Sequence, residues 1–153
     1  MAAVASPTEI YRFDDRNIDW RPLADFEHIT ATILAVDEKN NIADFIVKFD
    51  PEKMIFLHRH LAQTNTIVLD GEHIIYEQGT KQVREVRPVG RYTSSPAGDA
   101  HHEGGGANGC ILHYTVRGET DALFDVLDDD GNVEGTLRTA DFKAALDEQN
   151  QAK

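Results

Sequence analysis

Short apolar segments rich in β-branched residues, each bounded by turn-forming residues, dominate the chain. Residues 29–36 and 42–49 are two such segments, and the polar cluster 37–41 between them is typical of a hairpin turn. Similar segments follow at close spacing, whereas residues 141–149 have the period of an amphipathic helix. The pattern predicts an all-β sandwich or barrel with one short C-terminal helix.

The 153 residues are enough for one hydrophobic core, and no repeat or linker divides them. We expect an N-terminal extension over residues 1–28, a barrel over 29–137 and a helical segment over 138–153. Glycine is so frequent in residues 98–109 that a loop is predicted there. The remaining predicted strands are 54–60, 64–69, 73–77, 82–87, 91–95, 110–117, 122–127 and 133–137.

Charge and cysteine content restrict the partners. The formal net charge is −12, from 15 basic and 27 acidic side chains, which argues against nucleic acid and against an anionic membrane surface. Cys110 is the single cysteine, and the N-terminus resembles no signal peptide. We therefore expect a cytoplasmic protein whose partners are small molecules.

The strongest functional signal is a set of histidines. His58 and His60 are separated by one residue on a predicted strand, so both imidazoles face the same side, together with Met54 and Phe56. This spacing can present two nitrogen atoms to one metal ion. His101, 41 residues further on, is a third candidate ligand, and the adjacent His102 is an alternative to it.

Glycine and proline precede His101 at regular spacing. Gly90 is followed by five residues, Pro96, one residue, Gly98, two residues and then His101. This spacing resembles the second motif of the cupin superfamily, which consists of small jelly-roll β-barrels. The resemblance implies a single-domain cupin fold and a metal-binding role for the histidine that ends the motif.

The first cupin motif is also similar to a segment of this chain. It contains His58 and His60 and ends on the turn glycine Gly71. The glutamate that often supplies a fourth ligand is replaced by Asn65, or by Thr64 if the spacing is one residue shorter. The resemblance implies a divalent metal on His58, His60 and His101. It also places Asn65 near the metal without binding it.

Further features resemble small single-domain cupins that cleave acetylacetone or 2,4'-dihydroxyacetophenone. These are Asp50-Pro51, the sequence His58-Arg59-His60 and the hairpin 129–132. Such relatives bind mononuclear Fe(II) through three histidines and are commonly homodimers. The resemblance therefore implies an Fe(II) dioxygenase that uses O2 to cleave a carbon–carbon bond of a small diketone or hydroxyketone. Zn, Ni or Mn also suits imidazole ligands.

Other side chains are candidates for the substrate pocket: Met54, Phe56, Asn65, Ser95 and His113. Ser95 stands where several relatives carry a glutamate, and His113 is a candidate for a hydrogen bond near the metal. Three neutral imidazoles leave the full metal charge, which favours an anionic bidentate ligand such as an enolate. Two alternatives remain: a metal-dependent isomerase or epimerase of a sugar-like substrate, and a non-catalytic metal-binding or small-molecule-binding module.

Overall fold

Ten β-strands and a C-terminal helix make up the chain in a computed structural model, which describes residues 11–98 and 100–153. Residues 1–10 of the predicted extension and Asp99 of the second motif lie outside the described residues. The strands are β1 (Arg21–Pro22), β2 (Ile29–Asp37), β3 (Ile42–Phe49), β4 (His58–His60), β5 (Gln63–Glu77), β6 (Val83–Pro88), β7 (Tyr92–Ser95), β8 (Ala100–Arg117), β9 (Ala122–Leu127) and β10 (Val133–Arg138). Helix α1 spans Thr139–Gln151.

The strands form one curled antiparallel sheet in the order β1-β2-β3-β8-β4-β9-β10, and β5 pairs with β6, β7 and β8. Strand β8 lies at the centre because one half of it pairs with β3, the other half pairs with β4, and both halves pair with β5. The predicted all-β fold with a terminal helix is confirmed. In the described part of the chain, no helix is long and apolar enough to cross a membrane.

Two predicted interruptions are wrong. The turn expected at Gly71 lies within β5, and most of the loop expected at 98–109 lies within β8. Glycine here permits close approach of two backbones instead of ending a strand. A β-carbon on Gly71, whose φ is +66°, would lie 2.1 Å from the carbonyl oxygen of Gly109. A β-carbon on Gly104 would lie 2.1 Å from the carbonyl oxygen of Lys53.

The predicted strand 54–60 is shorter than expected. Only His58–His60 forms a strand, whereas Met54 makes an isolated bridge to Gly104. Leu57 and His58 are both buried, but Leu57 packs in a small separate cluster with Ala100 and Leu127. Phe56 keeps the expected side, because its ring lies 5.4 Å from that of His58 between centroids and both residues line one cavity.

Aromatic packing between the sheet and α1 builds the main core. The ring of Phe45 stacks on Tyr114 and on Phe142 of α1, at centroid distances of 5.1 and 4.9 Å. Near the end of α1, the side chain of Gln149 accepts a hydrogen bond from the N–H of Ile33 and donates one to its carbonyl oxygen, at 2.8 and 3.0 Å. The helix therefore supplies hydrogen-bond partners for the N–H and C=O groups of Ile33, at the point where the register between β2 and β3 shifts.

Candidate metal centre

Strands β4 and β8 bring the three predicted ligands together. His58 and His60 lie on the same face of β4 because they are two residues apart. His58 is paired across the strands with His101 of β8. The three imidazole rings are mutually adjacent, with centroid distances of 4.9 to 5.1 Å.

Glu103 is the fourth member of this cluster, and the sequence analysis did not identify it. It follows His101 by two residues on β8 and therefore faces the same way. One ligand atom from each of His58, His60, His101 and Glu103 lies within 4.8 Å of the other three. The glutamate was overlooked because its segment was predicted as a loop, in which the period of two residues has no meaning.

Hydrogen bonds on the far side of two rings orient their metal-facing nitrogens. The Nδ1 atom of His58 lies 3.1 Å from the carbonyl oxygen of Phe56, and Nδ1 of His60 lies 2.8 Å from Oγ1 of Thr64. Both rings thereby turn Nε2 into the cluster. Nε2 of His60 is buried and has no hydrogen-bond partner within the described residues. An unsatisfied nitrogen of this kind fits a metal ligand.

Glu103 is held by three hydrogen-bonding side chains. Its carboxylate oxygens lie 2.8 Å from Nε2 of His58 and 2.7 Å from Nε2 of His73, and the hydroxyl of Tyr114 donates to it at 2.9 Å. Burial by itself would raise the pKa of Glu103, but the charge and the hydrogen bond of His58, with the hydrogen bond of His73, hold it well below its usual range. Glu103 is therefore a buried carboxylate.

Within the cluster, the pKa values of two histidines shift in opposite directions. Burial opposes protonation of His58, but the charge of Glu103, the hydrogen bond to Glu103 and the hydrogen bond to the carbonyl oxygen of Phe56 together outweigh this effect and raise the pKa of His58. Burial, together with the neighbouring charge of His58, lowers the pKa of His60 to about 3. These three imidazoles and one carboxylate are suitable donors for Fe, Zn, Ni or Mn, so the cluster can hold a divalent metal ion.

Two cavities adjoin the cluster, and Glu103 and Tyr114 line both. The first, of about 40 Å³, is apolar and includes Phe56 and His58 in its wall. The second, of about 80 Å³, has a mixed surface, and we call it the polar cavity because most of the residues in its wall are polar. Its wall is formed by His60, Thr64, Thr66, Ile75, Arg87, Ser95, Pro96, Gly98, His101, Glu103 and Tyr114. The cluster therefore adjoins two cavities, one apolar and one with a mixed surface.

The structure distributes the predicted pocket residues unevenly. Phe56 lies in the apolar cavity and Ser95 in the polar one. Met54 lines neither of these two cavities, and its backbone forms an isolated bridge with Gly104. His113 alternates with the buried Tyr114 and therefore lies on the opposite face of β8 from the cluster.

The expectation that Asn65 lies near the metal is corrected by the structure. Asn65 alternates with the buried residues Thr64 and Thr66 on β5, so its side chain points away from the cluster. Its Oδ1 atom accepts a hydrogen bond from Ser94 at 2.7 Å on the exposed side. The shorter spacing is the relevant one: Thr64 reaches the site, as a hydrogen-bond partner of His60.

His102, the alternative ligand, is on the other face of β8 from His101. It is buried, and its Nδ1 atom lies 2.8 Å from the carbonyl oxygen of Ile55. Because successive residues of a strand point to opposite faces, His101 and His102 cannot share one site. Of the two, His101 is the one that belongs to the cluster.

Comparison with known proteins identifies the family. A profile of the ChrR cupin-like domain matches residues 9–120, whereas no curated protein matches the sequence. An RmlC-like cupin protein from Ralstonia eutropha JMP134 superposes with a TM-score of 0.72 at 16% identity, covering 88% of this chain and 83% of that one. An acetylacetone dioxygenase from Acinetobacter johnsonii superposes with a TM-score of 0.70 at 14% identity, covering 95% of each chain.

A cupin-like protein from Thermotoga maritima MSB8 is more distant in structure, with a TM-score of 0.57 at 20% identity over 81% of this chain and 90% of that one. At such identities the structural similarities establish the fold. They confirm the predicted resemblance to cupins, acetylacetone dioxygenases included. Since the profile spans most of its length, the chain belongs to the ChrR cupin-like domain family.

Proposed function

We propose that this protein is a metal-dependent dioxygenase that cleaves a carbon–carbon bond of a small diketone or hydroxyketone, with Fe(II) as its metal. The observation that carries the proposal is the buried convergence of His58, His60 and His101 beside two cavities. When bound there, Fe(II) would supply Lewis-acid activation of the substrate oxygens and the electrons that O2 chemistry requires. Both oxygen atoms would enter the products, so no external reductant is needed.

The residues of this chain would prepare that chemistry by orientation and by exclusion of water. Thr64 and the carbonyl group of Phe56 hold two imidazoles in the tautomer that directs Nε2 inward. The apolar cavity would accept the alkyl part of a small ketone, and the polar cavity would accept its oxygen-bearing part. Glu103, already ionised, can accept a proton from a diketone only if it is not itself bound to the metal.

The comparisons support the proposal at the level of fold. An acetylacetone dioxygenase shares the architecture over nearly the whole chain. The distance in sequence leaves its substrate as an analogy, so the reaction must be tested directly.

Oxygen uptake provides the test. The protein is freed of metal with a chelator, reloaded anaerobically with Fe(II), and mixed with acetylacetone or a hydroxyacetophenone in an oxygen electrode. We expect uptake that depends on both iron and ketone, and cleavage products that contain two atoms of labelled oxygen. Conversion of a sugar-like substrate without oxygen would favour the isomerase alternative instead.

One observation favours a second candidate, a non-catalytic zinc-binding module. Four protein ligands are enough to close a tetrahedral zinc site, and Glu103 would complete such a set. Purification without added metal distinguishes the two. Stoichiometric zinc, with no ketone-dependent oxygen uptake after reloading with iron, would favour the binding module.

The homodimer and the cytoplasmic location expected from the sequence are retained as proposals. Light scattering during gel filtration would test the first, and fractionation of cells that express the protein would test the second. Neither property is needed for the chemistry proposed above, because the four candidate metal donors come from one chain.

A further inference from the structure

Two polar groups in the wall of the polar cavity have no hydrogen-bond partner within residues 11–98 and 100–153. They are Oγ1 of Thr66 and Nε of Arg87, and both atoms are inaccessible to solvent. Thr66 is 6% exposed and the side chain of Arg87 is 13% exposed. Because a buried polar group without a partner costs free energy, two such groups in one cavity indicate a ligand that binds both.

The strand register explains why these groups face the candidate metal centre. Arg87 of β6 is paired with His73 of β5, which is completely buried and hydrogen-bonded to Glu103. Thr66 is paired with Tyr114, whose hydroxyl group also reaches Glu103. Both orphaned groups therefore lie on the inner face of their strands, in the cavity that His60 and His101 also line.

The charges around Arg87 leave it available to an anion. One terminal nitrogen of its guanidinium, Nη2, lies 3.0 Å from Glu85, but the side chain of Glu85 is 41% exposed, so solvent screens that pair. Glu103, whose carboxylate lies in the wall of the cavity, is engaged by His58 and His73. A guanidinium group beside a hydroxyl donor is a typical binding arrangement for a carboxylate.

We propose that the substrate is a diketone that carries a carboxylate, of the class of 2,4-dioxo acids. The carboxylate binds Arg87 and the hydroxyl of Thr66, while the diketone oxygens lie at the histidine cluster. This inference rests on the proposed metal-dependent function and narrows its substrate class. A neutral diketone would leave both buried groups unsatisfied, and a carboxylate satisfies them with charge of the right sign.

The test compares 2,4-dioxopentanoate with acetylacetone, in which a methyl group replaces the carboxylate. Binding of both compounds is measured by titration calorimetry on protein loaded with Ni(II), so that turnover does not interfere, and the nickel content is measured separately. We expect the acid to bind at least about tenfold more tightly than acetylacetone. Arg87→Met should reduce this preference below about twofold while the protein still binds nickel, because the cation that binds the carboxylate is removed.

Two further variants sharpen the result. Arg84→Met, on the same strand but outside the wall of the cavity, should keep the full preference. Thr66→Val conserves the shape of the side chain and should lose part of the preference, whereas Thr66→Ser should retain it. This pair keeps the test informative even if Arg87→Met does not fold.

The outcomes separate the two levels of the proposal. Tight nickel binding with equal affinity for both compounds, or a preference that survives both Arg87→Met and Thr66→Val, overturns the carboxylate site and leaves the metal-dependent function standing. Failure of the wild-type protein to retain nickel overturns the proposed function and this inference with it.

Discussion

Nε2 of His58 lies 2.8 Å from Oε2 of Glu103, and both side chains are only 4% exposed. This nitrogen is the one that His58 turns into the cluster, since Nδ1 is directed at a backbone carbonyl oxygen. A metal ion and the shared proton therefore compete for the same atom. Binding of a metal ion by Nε2 of His58 would require loss of that proton and would leave an oxygen of Glu103 free to act as a further donor.

Replacement of this carboxylate tests whether it becomes a ligand. Glu103→Gln keeps the shape of the side chain but removes its charge, so we expect metal affinity to fall about a hundredfold. Tyr114→Phe removes only one hydrogen bond to Glu103 and should reduce affinity by about tenfold at most. Competition with a chromophoric chelator measures both values. Equal losses in the two variants would show that Glu103 only orients the histidines.

The three histidines should each be necessary for metal binding. Replacing His58, His60 or His101 with Ala should remove most of the bound metal, because two imidazoles hold a divalent ion much less well than three. His102→Gln, one position along β8 and on its other face, should retain it. Elemental analysis of the dialysed variants gives the result. If the His102 variant loses metal and the His101 variant keeps it, then His102, and not His101, points into the cluster from β8.

Thr64 and Asn65 form a matched pair of neighbours with different roles. Thr64→Val removes the oxygen that orients the His60 ring and should lower metal affinity between about tenfold and a hundredfold. Asn65→Ala should leave the affinity unchanged, because its amide is bonded to Ser94 on the outside of the sheet. An effect of Asn65→Ala as large as that of Thr64→Val would contradict this register of β5.

Gly105 shows the cost of a side chain within the glycine-rich part of β8. A β-carbon there would lie 2.6 Å from backbone atoms of Gly109, so Gly105→Ala should destabilise the fold by about 1–3 kcal/mol. At Gly135 nothing lies within 4 Å of the added carbon, and Gly135→Ala should change the free energy of unfolding by less than about 1 kcal/mol. Urea unfolding measures the free energy of unfolding of both variants. Similar losses in the two would rule out the close contact between the backbones at Gly105 and Gly109.

Acid should destabilise the metal-free protein through His60. The folded state keeps this imidazole neutral down to a pKa of about 3, while the unfolded chain binds a proton below the ordinary value of 6.5. Stability therefore decreases as the pH falls below 6.5, by up to about 1.4 kcal/mol per pH unit. His60→Gln should show a smaller decrease between about pH 7 and pH 5.

His58, whose pKa is raised, contributes in the opposite sense: its stabilisation is present at low pH and is lost as the pH rises. Because His58 is present in both proteins, this contribution largely cancels in the comparison. Urea unfolding after treatment with a chelator supplies the measurement. Equal pH slopes for the two proteins would show that His60 is not held neutral.

The histidine pair could be predicted because it depends on local geometry alone. His58 and His60 share a face of any extended strand, whatever it pairs with. The position of His101 opposite His58 depends on the long-range register of β4 and β8, which a single sequence does not encode in its periodicity. Only the resemblance of the motif spacing made this third ligand predictable.

Glu103 and the residues around it could not be predicted from the sequence, for a different reason. Five glycines between residues 98 and 109 predict a loop by composition, but several of them are required by backbones in contact. In an extended segment, the two-residue spacing of His101 and Glu103 places both side chains on one face, as it does for His58 and His60. His73, Tyr114 and Arg87 lie on three different strands, and only the folded sheet brings them together.

Among the strands of the described residues, β6 pairs only with β5, and none of the four candidate metal donors lies on it. Arg87 is therefore carried by an edge strand, whereas the histidines and Glu103 are built into the two strands at the middle of the sheet. A combinatorial library confined to residues 83–88 would vary the chemistry at one wall of the cavity and leave the donor geometry intact. Ligand preference in such a scaffold can be altered by selection without a compensating redesign of its metal chemistry.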